Sequence, residues 1–398
     1  MQLNVSKIRE DFPILQKKIG GKSIIYFDNA CQSLKPVQVI EKINEYHRDY
    51  PACGERSMHK LGKKVDEEVN SARKSIQKLF SAKKPEEIIF TKNTTEGLNL
   101  LAHSLDLKPG DVVLSTDKEH NSNLIPWQLL AKKGIKHDVF EFGNIEAFKK
   151  KLTKNVKLVS MVHASNMDGT SISAKEMIKL AHDNGSLVLL DGAQSAPHKN
   201  IDFKDLDVDF FACSGHKMLG PSGTGILYGK YELLEKLKPF IVGGGTVKES
   251  TYPDCEFEKP PHLFEAGLQN YGGIIGFGAA ADYLRKLGLD NISAHEAKLN
   301  EKLTGALADS VDLLGPKDAK HRAGIFSFNV RDLEMHNIAI MLDEAANIAV
   351  RSGAHCCHSW FNAHKMQGSV RASVYLYNTE EECNVFIEEL KKIIKFLS

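Results

Sequence analysis

Short apolar runs alternate with segments of helical periodicity between residues 86 and 229, and this alternation constrains the fold more than composition does. The apolar runs are EEIIF, DVVLST, KHDVFEF, VKLVSMVHAS, SLVLLD, DVDFFACS and GILYG. Strands covered on both faces consist of nearly continuous apolar residues, and strands that alternate with helices belong to parallel sheets. The pattern therefore predicts an α/β protein whose large unit is a mostly parallel sheet between layers of helices.

The pattern changes near residue 260, after the glycine-rich IVGGGT and the proline-containing TYPDCEFEKPPH. Beyond it we expect strands in GIFSFNV, IAVRSG and SVRASVYLY and a closing amphipathic helix in EEECNVFIEELKKIIKFL. A chain of 398 residues exceeds the size at which one core keeps growing, so two units are expected. We predict an N-terminal segment, 1–20, that packs on the smaller unit, a large α/β domain, 21–260, and a small C-terminal α+β domain, 261–398.

Charge and cysteine content exclude several classes of function. Lys plus Arg (52) nearly cancels Asp plus Glu (51), and no basic tract is present, so we expect no nucleic-acid partner. The first twenty residues mix charged and apolar positions, which predicts neither a signal peptide nor a membrane anchor. Seven cysteines without paired spacing favour a reducing compartment, so we expect a cytoplasmic protein.

Two of the sequence's polar clusters follow strands in the way that ligand sites of open parallel sheets do. Thr94 and Thr95 open a helix directly after a strand, where hydroxyls and backbone N–H groups form an anion site. An ordinary threonine N-cap with Glu96 in the first turn is the alternative. Asp191 ends the strand SLVLLD, with Gln194 three residues further on. A carboxylate fixed there can keep a pyridinium nitrogen protonated, although strand-end aspartates also serve as caps.

Two further clusters supply an amine and an imidazole. The segment SGHK places Ser214, His216 and Lys217 between a strand and the glycine-rich GPSGTG, where a shielded lysine can form a Schiff base with an aldehyde. His120 follows the strand DVVLST, where an imidazole can stack on a flat ring or move protons, or have a structural role. An anion site, a carboxylate, a lysine and a stacking histidine together are what pyridoxal 5'-phosphate requires.

The motifs also resemble those of a known family, the class V aminotransferases, and within it the cysteine desulfurases of the sulfur-mobilisation type. The resemblance covers nearly the whole chain: YFDNA, TTEG, EHNSN, SNMDGT, DGAQSAPH, SGHKMLGPSGTGILYGK, GGGT, FEAG, RSGAHC and RASVYLYNT. The pair DGAQ and SGHK is the most specific part of it, whereas GGGT and FEAG are individually weak. The resemblance implies a fold-type-I pyridoxal-phosphate enzyme that is a homodimer.

The resemblance also implies a role for individual residues. Lys217 forms the Schiff base with the cofactor, Asp191 pairs with its pyridine nitrogen and Gln194 contacts its ring hydroxyl. The phosphate is held by Thr95, Ser214, His216 and the backbone of Thr94, while His120 stacks over the ring. Asn166 and Arg371 match positions that engage the substrate carboxylate, for which a bidentate guanidinium is suited.

Cys356 is the expected sulfur acceptor. It lies in RSGAHCCHS, five residues after Arg351 and fifteen before Arg371, which is the spacing found around the desulfurase nucleophile. We expect His355, His358 and a nearby arginine to supply the positive charge that favours its thiolate. A buried structural cysteine is the plain alternative. A metal site formed by residues 355–358 is disfavoured, because four consecutive ligands do not easily converge on one tetrahedral ion.

Some positions depart from the family pattern or have no assigned role. Leu268 and Gln269 stand after FEAG where the family commonly has Thr-Pro, which puts a phosphate contact to the partner subunit in doubt. Cys357 directly follows the expected nucleophile and could resolve the persulfide, compete for sulfur or have no role. Arg56 and His59 match positions near the active site of relatives without an assigned function.

The resulting prediction is an enzyme that converts L-cysteine to L-alanine and passes the sulfur through Cys356 to an acceptor or scaffold protein for iron–sulfur cluster assembly. A selenocysteine lyase, or another lyase or epimerase with the same cofactor, is the alternative inside the enzyme class. A non-catalytic sulfur-relay platform is the alternative outside it. Intact Lys217, Asp191 and Arg371 argue against the platform, because a scaffold has no need of all three.

Overall fold

The computed structural model of the protein describes residues 3–55 and 57–397. The helices of this part of the chain are α1 (Val5–Glu10), α2 (Val37–Asp49), α3 (Lys60–Leu79), α4 (Thr94–Ser104), α5 (Ile125–Leu129), α6 (Ile145–Lys151), α7 (Ala174–Asp183), α8 (Phe203–Leu206), α9 (Tyr231–Leu234), α10 (Tyr271–Leu287), α11 (Leu289–Leu307), α12 (Met335–Ala346), α13 (His358–Ala363) and α14 (Glu380–Leu397). The strands are β1 (Lys18–Ile19), β2 (Lys22–Ser23), β3 (Ile25–Tyr26), β4 (Ile88–Thr91), β5 (Val112–Thr116), β6 (Lys136–Phe140), β7 (Val156–Val162), β8 (Leu187–Asp191), β9 (Phe210–Ser214), β10 (Gly225–Gly229), β11 (Val247–Ser250), β12 (Cys255–Phe257), β13 (Asp312–Leu313), β14 (Ile325–Asn329), β15 (Ile348–Ala349), β16 (Arg351–Gly353) and β17 (Ser369–Ser373). Within these ranges, every helix is too short or too polar to span a lipid bilayer.

A seven-stranded sheet forms the centre of the molecule, in the order β4-β10-β9-β8-β7-β5-β6. Strand β10 runs antiparallel to its neighbours β4 and β9, and the remaining pairs are parallel. The predicted α/β class with a mostly parallel sheet is thus confirmed. In such a sheet the carboxyl ends of the parallel strands meet at one edge, where ligands bind.

Apolar cores cover both faces of this sheet, which explains why its strands are continuously apolar. Leu114 and Val159 belong to one core, whereas the preceding residues Val113 and Leu158 belong to the other. All four side chains are fully buried, because successive residues of a strand point to opposite faces.

A second, four-stranded antiparallel sheet has the order β13-β14-β17-β16. Phe326 and Phe328 of β14 form its core with Leu303 of α11, Leu342 of α12 and Phe386 of α14. This unit is the α+β part expected from the C-terminal pattern.

Contacts join the two units directly beside the central sheet. A bridge pairs Asp28 with Ser373, so the segment after β3 lies against the end of β17. In the N-terminal segment, the Phe12 ring lies 4.6 Å from that of Tyr377 and Arg9 pairs with Glu382 at 2.8 Å. Helix α10 packs on α2 and α3. The division of the chain near residue 260 and the packing of residues 1–20 on the small unit remain predictions.

Candidate active site

A cavity of about 300 Å³ lies at the carboxyl ends of the parallel strands, between the two units. It brings together every site residue predicted from the sequence, namely Thr94, Thr95, His120, Asn166, Asp191, Gln194, Ser214, His216, Lys217, Cys356 and Arg371. The first nine follow strands of the central sheet, whereas Cys356 and Arg371 come from the second unit. Residues from both units therefore share one site.

Asp191 ends strand β8, and Lys217 stands three residues after the end of the adjacent strand β9. Burial lowers the pKa of Lys217, and the charge of Asp191 opposes that effect. Burial also raises the pKa of Asp191, although the N–H of Ala193, which donates to its Oδ1 at 2.9 Å, and Lys217 oppose the shift. The pair combines an amine that loses its proton more easily than usual with a carboxylate held out of water.

Gln194 provides an unsatisfied polar atom beside them. Its Nε2 donates to the carbonyl of Ala30 at 2.6 Å, while its Oε1 is buried without a hydrogen-bond partner. Buried polar atoms normally have partners, so an orphaned acceptor on the cavity wall is what a ligand hydroxyl would satisfy. Together, Gln194, Asp191 and Lys217 fit the ring hydroxyl, ring nitrogen and aldehyde of pyridoxal phosphate.

Hydroxyl groups gather where helix α4 begins. The N-cap is Asn93, whose side chain accepts from the N–H of Glu96, so Thr94 and Thr95 are the first two helical residues and not caps. The N–H of Thr94 donates to Ser214 Oγ at 2.9 Å, and the hydroxyls of Thr94 and Ser214 are 2.7 Å apart. These groups lie at the positive end of an eleven-residue helix and suit a phosphate.

Two further groups border this anion site. The hydroxyl of Ser122, which the sequence did not single out, lies 2.7 Å from that of Thr95. Burial lowers the pKa of His216 to about 4, assisted by the charges of Lys217 and Lys35. His216 is therefore neutral at pH 7 and contributes hydrogen-bonding capacity, not charge.

His120 is also held neutral, with a defined tautomer. Burial, Lys217, Arg371 and His358 lower its pKa to about 3. The N–H of Ser122 donates to its Nδ1 at 3.1 Å, so the ring proton belongs on Nε2. His120 thus presents a neutral N–H donor.

Arg371 on β17 forms the opposite wall and is 3% exposed. Its Nη1 donates to the carbonyl of Asn166 at 2.8 Å, and its Nη2 lies 3.7 Å from Asp28. Its Nε is buried without a partner. Asp28 also pairs with Arg351 at 2.7 Å, so one carboxylate orients two guanidinium groups. Asp28 belongs to the YFDNA motif, but the sequence predicted no role for it.

Cys356 is exposed at the mouth of the cavity. It and His355 have left-handed backbones, with φ of 57° and 49°, and its carbonyl accepts from the N–H of Asn121 at 2.8 Å. One expectation is wrong: burial and the charges of Arg371 and Arg351 lower the pKa of His355 to about 2, so His355 carries no positive charge. Arg351, which lines the same cavity, carries charge there instead.

Sequence reasoning assigned no role to three residues that the structure places at the site. Cys31 lines the cavity, and Arg351 Nη2 lies 2.8 Å from its Sγ. Glu119, directly before His120, is buried and accepts from the N–H of Val162 at 2.9 Å; burial raises its pKa to about 8. Cys357 is buried against Asn166. Only folding reveals these contacts, because the partners are distant in sequence.

Leu268 and Gln269, which replace the family's Thr-Pro, are not among the residues that line this cavity. Leu268 is strongly exposed, and Gln269 Nε2 donates to the nearby carbonyl of Ala266 at 3.0 Å. His59 caps helix α3, since its Nδ1 accepts from the N–H of Gly62 at 3.1 Å. Arg56 lies outside the described residues.

Comparison with known proteins agrees with this geometry. The sequence model of the family described as aminotransferase class-V matches residues 25–386. A probable cysteine desulfurase of Synechocystis sp. is 40% identical over 98% of this chain and 96% of its own length. The cysteine desulfurase of Haloferax volcanii is 36% identical over 98% of this chain and 96% of its own length.

Solved structures show the same similarity. The apo cysteine desulfurase of Thermococcus onnurineus NA1 superposes with a TM-score of 0.94 at 37% identity, over 99% of both chains. The cysteine desulfurase CsdA of Escherichia coli, in an S-sulfonic acid form, gives a TM-score of 0.91 at 28% identity, over 100% of both chains. The family model and the full-length relatives lead to one conclusion: this chain belongs to the class-V aminotransferase family.

Proposed function

We propose that this chain is a pyridoxal-phosphate-dependent cysteine desulfurase, which converts L-cysteine to L-alanine and holds the sulfur as a persulfide on Cys356. The observation that carries the proposal is that an amine, a carboxylate, a guanidinium and a thiol line one cavity; these groups belong to Lys217, Asp191, Arg371 and Cys356. The names of the relatives, cysteine desulfurases, support cysteine as the substrate and its sulfur as the group removed.

The residues around Lys217 hold the cofactor in this proposal. When bound, pyridoxal phosphate withdraws electrons from the bonds around the α-carbon of an amino acid. The carboxylate of Asp191 stabilises a protonated ring nitrogen, and Gln194 Oε1 accepts from the ring hydroxyl. Thr94, Thr95, Ser214 and His216 bind the phosphate. The lowered pKa of Lys217 leaves more of its amine neutral, as attack on an aldehyde requires.

The opposite wall binds and orients the substrate. Arg371 pairs with the carboxylate of L-cysteine, assisted by Asn166, so the amino group points towards Lys217. The amine of Lys217 then takes the proton from the α-carbon and later returns one to the product. The neutral N–H of His120 is a proton donor on the same side of the cavity.

Cys356 accepts the sulfur. Its thiolate attacks the substrate sulfur, an S–S bond forms and the C–S bond of L-cysteine breaks, with the bonding electrons remaining on carbon. Protonation of that carbon gives alanine, so L-cysteine and the Cys356 thiol become L-alanine and a persulfide without an external oxidant or reductant.

The assembly and cellular role are further parts of the proposal. Large apolar side chains at Ile241, Val242, Tyr252 and Leu268 are strongly exposed, and a second copy of the chain would bury them in a homodimer. Light scattering at micromolar concentration measures the mass in solution, and the mass of a single chain would contradict the homodimer.

We place the enzyme in the cytoplasm, where its seven free thiols stay reduced. The sulfur would pass from Cys356 to an acceptor protein for iron–sulfur cluster assembly.

The deciding experiment incubates the holoenzyme with L-cysteine and a reductant and measures alanine and sulfide together, with Lys217→Ala as the comparison. We expect equal amounts of both products from the wild type and a loss of at least about a thousandfold in the variant, because the amine both holds the cofactor and moves the proton. A wild-type holoenzyme that produces no alanine would contradict the proposal, and selenocysteine would be the next substrate to test.

A further inference from the structure

Two adjacent thiols face different surroundings in the acceptor loop, residues 354–358. Cys356 is exposed, whereas Cys357 is 1% exposed. The backbones of His355 and Cys356 are left-handed, and at this turn of the chain one thiol lies in solvent and the next in the interior. The two cysteines therefore present different chemistry even though they are neighbours in sequence.

Cys357 contacts a residue that lines the substrate cavity. Its Sγ lies 3.1 Å from Asn166 Oδ1. An amide oxygen only accepts hydrogen bonds, so the thiol is the donor. On the other side of the same amide, Asn166 Nδ2 donates to the carbonyl of His355 at 2.7 Å. Two residues of the acceptor loop thus fix the amide at both ends, the carbonyl of His355 at its nitrogen and the thiol of Cys357 at its oxygen.

The surroundings of Cys357 also keep its thiol protonated. Burial raises its pKa to about 12, and the charge of Arg371 offsets only part of that effect. At pH 7 the thiol is therefore protonated, whereas the thiolate is the nucleophilic form. Cys357 is accordingly a poor competitor for sulfur and a constant hydrogen-bond donor.

We propose that Cys357 is a positioning residue for substrate binding: its S–H holds the amide of Asn166 so that the second N–H of Nδ2 is available to the substrate carboxylate. The inference rests on the proposed function, because it takes the cavity to bind an amino acid between Arg371 and Asn166. Since the first N–H of Nδ2 binds the carbonyl of His355, the same contact links the substrate's position to that of the acceptor loop.

Three variants separate this role from a nucleophilic or a merely structural one. Cys357→Ala removes the donor, Cys357→Ser keeps one, and Cys383→Ala removes an equally buried thiol in the core of the second unit. A net hydrogen bond contributes about 0.5–1.5 kcal/mol, so the KM for L-cysteine should rise about two- to tenfold in Cys357→Ala, with kcat nearly unchanged. Cys357→Ser should restore the KM, and Cys383→Ala should leave it unchanged.

A double-mutant cycle tests whether Cys357 acts through Asn166. In an Asn166→Ala background, Cys357→Ala should raise the KM no further, because the amide that the thiol positions is gone. Affinity for L-alanine, followed by the visible absorbance of the holoenzyme, should show the same pattern without turnover. This binding measurement tests the inference without turnover. It is therefore independent of the result that would contradict the proposed function, namely a wild-type holoenzyme that releases no alanine from L-cysteine.

Three results would overturn the inference: an unchanged KM in Cys357→Ala, equal impairment in Cys357→Ser, or additive effects in the Asn166→Ala background. An unchanged KM accompanied by loss of kcat and of the persulfide would make Cys357 a nucleophile. If Cys357→Ala does not fold, Cys357→Val, which fills the space without a donor, takes its place in each comparison.

Discussion

Histidines in and around the candidate site are held neutral by burial. The pKa of His120 is lowered to about 3, that of His216 to about 4 and that of His355 to about 2. Nδ1 of His120 and Nε2 of His355 take part in hydrogen bonds, while the positive charge comes from Arg351 and Arg371. A sequence motif indicates that a histidine is present but not its charge, since the charge depends on burial.

His163, which has no role in the proposed reaction, allows the effect of burial on a histidine's pKa to be measured as a change in stability. It is 8% exposed, and burial lowers its pKa to about 3. Between about pH 6.5 and 3 the unfolded chain binds a proton there that the folded chain does not, so stability falls as the pH falls. We expect His163→Gln to reduce this loss by about 1.4 kcal/mol per pH unit. Urea unfolding of both proteins at pH 6.5, 5.5 and 4.5 gives the free energy of unfolding as a function of pH. Equal pH dependence in the wild type and in His163→Gln would refute the effect.

At the scale of elements, a buried ion pair connects helix α3, strand β4 and the FEAG segment. Arg73 and Glu265 form two hydrogen bonds of 2.8 Å, and the N–H of Phe90 donates to the same carboxylate at 2.7 Å. The guanidinium also lies 4.4 Å from the centre of the Phe90 ring. FEAG is thus partly a structural motif, because its glutamate anchors the edge of the sheet that leads into α4 and the anion site.

Removing Glu265 should therefore destabilise the fold. Glu265→Ala leaves the charge of Arg73 buried without its carboxylate, with only the carbonyl of Ile88 still accepting from Nη1, and this costs about 3–5 kcal/mol of the free energy of unfolding. Glu256→Ala breaks an exposed pair with Lys248 and should cost less than about 1 kcal/mol, which makes it the matched control. Chemical denaturation compares the two, and similar losses in both variants would show that the buried pair has no special importance.

At the scale of the whole molecule, the alternation between residues 86 and 229 predicts the central sheet because its strands are buried on both faces. The sequence also predicts that Asp191 and Lys217 stand where strands of one sheet end, and the structure shows that the two strands are adjacent and parallel. The different exposures of Cys356 and Cys357 are not predictable in this way. They depend on Asn121 and Asn166, which are more than 180 residues away along the chain.

The central claim is that sulfur moves from L-cysteine to Cys356. The most direct test incubates the holoenzyme with L-cysteine labelled with ³⁴S, without reductant, and locates the label by tandem mass spectrometry while alanine is counted. The account predicts one labelled sulfur on Cys356 for each alanine formed in the first turnover, and neither persulfide nor stoichiometric alanine from Cys356→Ser. Label on Cys357 or Cys31, or alanine formed at the same rate by Cys356→Ser, would contradict it.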